Sequence, residues 1–252
     1  MTRFAVIAFD ADDTLWHNER AFVAAQGTLA NLLARYHPPE WVAERLHQTE
    51  LRNLPHFGYG IKGFALSMIE TAVELTEGRI TGHEIQTLID AARAMLAAEV
   101  EVFAHVPETL ARLAATYPLM LITKGDLFDQ ERKIGRSGIA HYFQQIEILS
   151  DKRRASYERL LRRHGIAPER FLMVGNSLRS DILPVLELGA AAVYVPHPLT
   201  WAHEAEVVVP PEQAGYYQLE HLGQLPALIA ELEGQQMEQG GAAARAPGEA
   251  EA

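Results

Sequence analysis

The chain has 252 residues, of which 48% are hydrophobic, so it can bury a sizeable core and hold one domain with a large insertion. Its formal net charge of −11 argues against nucleic acid or an anionic membrane surface as a partner, and no apolar run approaches the roughly 20 residues of a membrane span. Because cysteine is absent, disulfides and thiolate zinc sites are excluded, and we expect a cytoplasmic protein.

The first predicted element is an apolar strand over residues 4–9 that ends at a cluster of acids. The residues that follow it are Asp10-Ala11-Asp12-Asp13-Thr14-Leu15. In an open parallel sheet, ligands bind at the C-terminal ends of the strands. Adjacent carboxylates repel one another unless a positive charge lies among them, so this cluster is a candidate catalytic or metal-binding site.

From residue 18 to residue 98 the apolar residues recur at helical spacing, and no strand pattern interrupts them. The spacing predicts four helices, over 19–35, 40–51, 64–77 and 81–99. Thr81 begins the last of these, with Glu84 three residues later as in a capping box. We therefore expect residues 17–100 to form an all-helical insertion after the first strand.

Beyond residue 107, predicted helices and strands alternate. The helices are 107–116, 127–137, 155–164 and 182–188, and the strands are 119–122, 145–149, 171–174 and 191–195. Such alternation predicts an α/β fold with a doubly wound parallel sheet, formed by residues 1–16 and 101–233. We expect a last helix at 219–232 to pack on the sheet, and residues 234–252, rich in Gln, Gly, Ala and Glu, to be disordered.

Polar residues follow each of the next three strands. These segments are Thr123-Lys124-Gly125-Asp126, Ser150-Asp151-Lys152 and Gly175-Asn176-Ser177-Leu178-Arg179-Ser180-Asp181. A threonine hydroxyl and free N–H groups before a helix form an anion site. Singly, Thr123 is most often a capping residue and Lys152 a solvated helix start. In order, at the same edge of one sheet, they favour a ligand site.

Together these segments resemble the motifs of the haloacid dehalogenase superfamily. Residues 10–14 are similar to its first motif, D-x-D-x-T, and Thr123, Lys152 and residues 175–181 match the second, third and fourth. The resemblance covers about residues 4–200. It implies an α/β core with a helical cap that closes over the site and selects the substrate.

The resemblance also implies a phosphatase that hydrolyses a small phosphorylated molecule through an aspartyl-phosphate. Asp10 would be the nucleophile, and Asp12 would protonate the leaving group and then activate water. Phosphate would be bound by Thr123, Lys152 and the backbone N–H groups of Lys124 and Gly125.

The cofactor implied by the resemblance is Mg²⁺. It would be held by Asp10, the backbone carbonyl of Asp12, Asp181 and Asn176. The fourth motif usually begins Gly-Asp, and Asn176 stands where the aspartate is expected. Since an amide brings no charge, we expect weaker metal affinity.

Two alternatives stay open at this point. An acid at position 12 is similar to phosphatases and phosphosugar mutases, whereas members that displace halide typically lack it. A mutase, which returns the phosphoryl group to the substrate, is therefore one alternative. A non-catalytic phosphometabolite-binding protein with a decayed metal site, suggested by Asn176, is the other.

The helical block contains one further pattern, Gly58-Tyr59-Gly60-Ile61-Lys62-Gly63, which spells G-x-G-x-x-G. No strand precedes it, so a dinucleotide site is not indicated. Two interpretations stay open for this segment: a mobile loop, or a glycine-rich turn over the catalytic edge that would place Tyr59 or Lys62 on the leaving group of the substrate. The sequence indicates neither the identity of that substrate nor the oligomeric state.

Overall fold

The computed structural model describes residues 2–205 and 207–243. The first half of the chain contains β1 (Val6–Phe9), α1 (Glu19–Leu33), α2 (Pro39–Phe57), α3 (Ile61–Leu75), α4 (Gly82–Ala97), α5 (Val106–Ala114) and β2 (Leu119–Lys124). The second half contains α6 (Leu127–Arg136), β3 (Gln145–Leu149), α7 (Arg154–His164), β4 (Phe171–Gly175), a π-helical turn (Leu178–Ile182), α8 (Leu183–Leu186), β5 (Ala191–Tyr194), α9 (Ala202–Ala205), β6 (Tyr216–Gln218) and α10 (Leu225–Ala243).

The six strands form one parallel sheet in the order β3-β2-β1-β4-β5-β6, which confirms the predicted α/β fold. In the register of the sheet, Phe9 at the end of β1 lies beside Leu121 of β2 and Val174 of β4. The polar segments after these three strands therefore meet at one edge. β3 pairs with β2 on the outer side, which brings residue 152 to the same edge.

The apolar run of β1 is continuous because both faces of the sheet are covered. Ile7 and Phe9 pack on the face covered by α5 and α10, in a cluster that includes Leu110 and Leu225. Ala8 points to the opposite face, in the cluster that contains Tyr157 of α7. The catalytic edge is thus supported by a sheet without a solvated face in its centre.

The helices α1–α4 pack around a separate apolar cluster, with Leu29, Met68 and Leu88 at its centre. The predicted capping box at Thr81 is present at the start of α4. We call α1–α4 the cap and the sheet with its covering helices the core. The two connections between them lie side by side, since Trp16 forms an antiparallel bridge with Val102. Both connections therefore leave the core at the same place.

Four details differ from the sequence-based expectations. β6 was not predicted, and α10 begins at Leu225 instead of residue 219. α2 continues to Phe57 with Pro55 in its last turn, where we expected an end at residue 51. We expected disorder from residue 234, whereas α10 extends to Ala243. Residues 244–252 lie outside the described residues.

Within residues 2–205 and 207–243, no helix has the length and apolar character needed to cross a membrane.

The apolar cluster among α1–α4 leads to a prediction about stability. Leu29 of α1 is fully buried, so Leu29→Ala should lower the free energy of unfolding by about 2–5 kcal/mol through lost burial and the cavity left behind. Val23 lies on the same helix but is 46% exposed, and Val23→Ala should change the same quantity by less than about 0.5 kcal/mol. Urea denaturation followed by circular dichroism measures both, and equal losses would contradict the proposed packing.

Candidate active site

The centre of the site is the buried ammonium group of Lys152. The residue is 2% exposed, and its Nζ donates to Oδ1 of Asp10 and, at 2.8 Å, to Oδ1 of Asp181. Burial disfavours the charged ammonium, but the charges and hydrogen bonds of Asp10 and Asp181 outweigh it, so the pKa of Lys152 is raised. Lys152 is therefore cationic at neutral pH.

Asp181 is positioned by the turn that follows β4. Its Oδ2 accepts a hydrogen bond from the backbone N–H of Ser177 at 3.1 Å. A Cβ on Gly175 would lie 2.3 Å from that oxygen, so only glycine leaves room for the carboxylate. Burial raises the pKa of Asp181 to about 7, with Lys152 acting in the opposite direction. Both carboxylate oxygens of Asp181 already accept a hydrogen bond, Oδ1 from Lys152 and Oδ2 from Ser177. Asp181 is therefore the partner of Lys152 in this structure, and it could bind a metal only through a second lone pair of one of these oxygens.

The three carboxylates of the first cluster point in three directions, which relieves their mutual repulsion. Asp10 contacts Lys152 and accepts from Thr14 Oγ1 at 2.8 Å. Asp12 contacts Lys133 on α6. Asp13 accepts from backbone N–H groups at the start of α1, at 2.9–3.2 Å. Only the first of these directions leads to the buried centre.

Asp12 has a complete set of hydrogen-bond donors. Trp16 Nε1 donates to its Oδ1 at 2.7 Å, Gln130 Nε2 to its Oδ2 at 2.8 Å, and Lys133 Nζ to both oxygens at 2.8 and 2.7 Å. Burial alone would raise the pKa of Asp12. The charge of Lys133 and the hydrogen bonds outweigh burial, so the pKa of Asp12 is lowered. Lys133 also reaches Oδ1 of Asn18 at 3.1 Å, where the chain enters the cap.

The groups predicted to bind phosphate lie at the expected edge of the sheet. They differ in whether they line the cavity and whether their hydrogen-bond donors are already used. Thr123 is buried in the cavity lining, and its hydroxyl donates to Gln130 Oε1 at 3.3 Å. Gly125 does not line the cavity, and its N–H donates to the carbonyl of Leu149 at 3.3 Å. The prediction that this N–H is free for phosphate therefore disagrees with the structure, because the ladder to β3 extends one residue further than expected.

The two cap residues predicted to contact the substrate, Tyr59 and Lys62, lie in different surroundings. Tyr59 lines the cavity and lies over the ammonium of Lys124, with Nζ 4.1 Å from the ring centroid. Lys62 lies outside the lining, and its Nζ is 2.9 and 3.0 Å from the carboxylate oxygens of Asp126. Lys62 thus forms an ion pair between the cap and the core instead of lining the cavity, because its ammonium group binds the carboxylate of Asp126.

Glu204 is a site residue that the sequence did not reveal. It is 8% exposed, and its carboxylate accepts from Lys124 Nζ at 2.5 Å, from Ser180 Oγ at 2.7 Å and from Ser177 Oγ. Burial raises the pKa of Glu204, but the charge and hydrogen bond of Lys124, with the two serines, lower it to about 2. No local pattern marks this residue, since Lys124 is 80 positions away in the chain.

A single cavity joins these groups to the cap. The residues that line it include eight carboxyl groups: Asp10, Asp12, Asp13, Glu19, Glu50, Asp129, Asp181 and Glu204. Among the described residues, its lining contains three lysines and no arginine, and each lysine contacts a carboxylate. An anionic substrate therefore needs additional positive charge in this cavity.

Asn176 lies where such a charge would be most useful. One terminal atom of its amide is 3.2 Å from both Asp10 Oδ2 and Thr14 Oγ1 and 3.3 Å from the carbonyl oxygen of Asp12. With nitrogen at this position, the amide donates to these oxygens. With oxygen there, the amide would complete a cluster of oxygens that a hard cation could hold together.

The donor set therefore fits Mg²⁺, which typically uses one or two carboxylates together with other oxygens and water. Among the residues described, no group of three or more histidine, cysteine or acidic side chains could hold a metal. The oxygens at this position instead come from one carboxylate, one backbone carbonyl and one amide.

The fold and site define the class of protein. A family model described as haloacid dehalogenase-like hydrolase matches residues 4–189, and the chain belongs to that family. A solved structure of a haloacid dehalogenase-like family hydrolase from Xanthomonas campestris is 39% identical, with a TM-score of 0.83, over 93% of this chain and 98% of that one. The protein is thus an enzyme of the hydrolase class.

Two further matches differ in how much of each chain they cover. A glyceraldehyde 3-phosphate phosphatase from Methanothermobacter thermautotrophicus is 35% identical over 111 residues, which are 42% of this chain and 49% of the relative. The match thus spans about half the length of that protein. A 2-haloacid dehalogenase from Pseudomonas syringae pv. Tomato is 23% identical with a TM-score of 0.61, covering 91% of this chain and 99% of that one, and shares the fold.

The buried Glu204 carboxylate gives a pH-dependent prediction. Because its pKa is lowered on folding, its stabilisation is complete above the unfolded-state value of about 4.3 and is lost as the pH falls toward about 2. Glu204→Gln should therefore lower the free energy of unfolding by about 3 kcal/mol at neutral pH, and by progressively less below about pH 4. Urea denaturation across this range, with the exposed Glu187→Gln as control, measures the difference, and a loss independent of pH would contradict the assignment.

Proposed function

We propose that the protein is a Mg²⁺-dependent phosphatase that hydrolyses a small phosphomonoester through an aspartyl-phosphate on Asp10. The observation that carries the proposal is the placement of Asp10 in the cavity that joins core and cap. Its carboxylate is held there by Lys152 and Thr14, and Asp12 lies two residues away on the same edge. A small phosphorylated molecule is the partner this cavity suits.

In the first step an oxygen of Asp10 attacks phosphorus, and the bond from phosphorus to the leaving oxygen breaks. The leaving oxygen takes a proton from the Asp12 carboxyl group. In the second step water attacks the phosphorus while Asp12 accepts its proton, which releases phosphate and restores Asp10. The contacts of Asp12 with Lys133 favour the carboxylate form that the second step needs, so the first step requires Asp12 to turn from Lys133 and take up a proton.

The remaining groups neutralise and orient the phosphoryl oxygens. Lys152 supplies a fixed positive charge, and Thr123 can turn its hydroxyl from Gln130 to a phosphoryl oxygen. Asp10, the Asp12 carbonyl and Asn176 would hold Mg²⁺, which when bound supplies the positive charge that this acidic cavity otherwise lacks.

Several features favour a phosphatase over halide displacement and over a protein that only binds its ligand, and release of inorganic phosphate would distinguish it from a phosphosugar mutase. Asp12 provides the acid and base that phosphoryl transfer to water requires, and halide displacement has no use for it at this position. The phosphatase relative named above acts on a phosphorylated three-carbon aldehyde, which suits the small substrate proposed here. The intact contacts of Asp10, Lys152 and Asp181 argue against a protein that only binds its ligand. A cytoplasmic location stays a prediction from composition.

The central test uses p-nitrophenyl phosphate as the substrate. Activity should require Mg²⁺, stop on addition of EDTA and return when excess Mg²⁺ is added. Asp10→Asn should reduce kcat by about 10³-fold or more, because an amide cannot attack phosphorus. Full activity of this variant would overturn the proposed mechanism. The exposed Asp90→Asn serves as a matched control and should leave kcat unchanged.

Asn176 gives a second test, with metal binding as the readout. Asn176→Asp adds a negative charge beside Asp10, so calorimetry should show Mg²⁺ binding about tenfold tighter or more. The same variant loses the amide donor, and its metal-free unfolding free energy should fall by about 1–3 kcal/mol and recover with Mg²⁺. Unchanged affinity would remove Asn176 from the metal site.

A further inference from the structure

The cap side of the active-site cavity is acidic. Two of the lining residues contributed by α1–α3 are carboxylates, Glu19 at the start of α1 and Glu50 on α2. None of the lining residues between positions 18 and 67 is a lysine, arginine or histidine. The cations of this cavity, Lys124, Lys133 and Lys152, all come from the core.

These two carboxylates differ from the core acids because no described protein group donates to them. In the part of the chain that the structure describes, no hydrogen bond or ion pair reaches the side chain of Glu19 or Glu50. Burial raises the pKa of Glu50 to about 7. Burial, with repulsion from Asp13, Glu50 and Asp12, raises the pKa of Glu19 to about 8. A half-buried carboxylate without a donor lowers stability, so a role with the ligand accounts for it better than packing does.

The position of the two carboxylates relative to the phosphate determines what they contact. In the proposed reaction the phosphate binds at Asp10 and Lys152, at the core end of the cavity, and its leaving group then extends into the part lined by the cap. A second negative charge on that group would face the carboxylates of Glu19 and Glu50, which repel it. Hydroxyl or ammonium groups would instead donate to them.

We propose that Glu50 and Glu19 are specificity residues, which select phosphomonoesters whose leaving group carries hydrogen-bond donors and no negative charge. The inference rests on the proposed phosphatase function and adds the class of substrate. It requires no movement of the cap and no residue beyond those that line the cavity.

Three phosphate esters with two-carbon leaving groups separate charge from size. They are phosphoglycolate, 2-hydroxyethyl phosphate and 2-aminoethyl phosphate, whose leaving groups carry a negative, no and a positive charge. At about pH 8, kcat/KM for each of the last two should exceed that for phosphoglycolate by about tenfold or more. If turnover of these small esters is too slow, their inhibition constants against p-nitrophenyl phosphate should give the same order.

Variants connect the selectivity to the named residues. Glu50→Gln should reduce the preference for 2-hydroxyethyl phosphate over phosphoglycolate by about fivefold or more, mainly by improving the reaction of phosphoglycolate. Glu19→Gln should act in the same direction and serves if the first variant does not fold. Glu44→Gln makes the same substitution at an exposed position of the same helix and should leave the preference unchanged.

Two results would overturn the inference. One is a wild-type enzyme that handles phosphoglycolate within about fivefold of the uncharged ester, and the other is a preference that both variants leave within about twofold. Activity on p-nitrophenyl phosphate that depends on Asp10 would show in either case that the phosphatase proposal still stands. Absence of that activity would instead refute the proposed function itself.

Discussion

The site depends on one buried charge. An ammonium group that is 2% exposed is stable only when carboxylates surround it, and the chain provides two, from the ends of β1 and β4. Other features follow from this requirement. The glycine at position 175 leaves room for Asp181, and the N–H of Ser177 holds its second oxygen. The central parallel pairing of β1 with β4 is what brings both carboxylates to the same ammonium group.

The pairing of buried lysines with carboxylates also explains why the cavity has an excess of negative charge. Each of its lysines is paired with a carboxylate that offsets its charge, so the lysines alone supply too little positive charge for a substrate dianion. A divalent cation then becomes the natural complement of a phosphate group, and the oxygens around Asn176 are suited to it. An amide in place of a carboxylate makes sense in this context. It can donate to Asp10 when no metal is present, where a second carboxylate would add repulsion.

Much of the fold could be predicted because the strands are buried on both faces, and their ends carry the chemistry. Continuous apolar runs mark β1, β2 and β4, and the polar residues after them point to one edge. β6 was missed because three residues at a sheet edge carry no periodic signal. Glu204 and Lys133 were missed for a different reason, since each contacts its partner more than 75 positions away in the chain. Such pairs depend on tertiary structure, which no local pattern encodes.

The cap shows the limit of periodicity most clearly. On α2, the buried residues Val42, Leu46, Thr49 and Asn53 form a helical stripe, and Glu50 lies beside it, next to Thr49 and three residues before Asn53. In the sequence, an acid at the border of a buried stripe is indistinguishable from one on a solvated face. In the structure, Asn53 turns its amide to Ser67 and Glu70, so it does not donate to Glu50. The carboxylate of Glu50 is thereby left facing the cavity with no partner among the described residues, so a ligand with a hydrogen-bond donor can bind to it in the cavity.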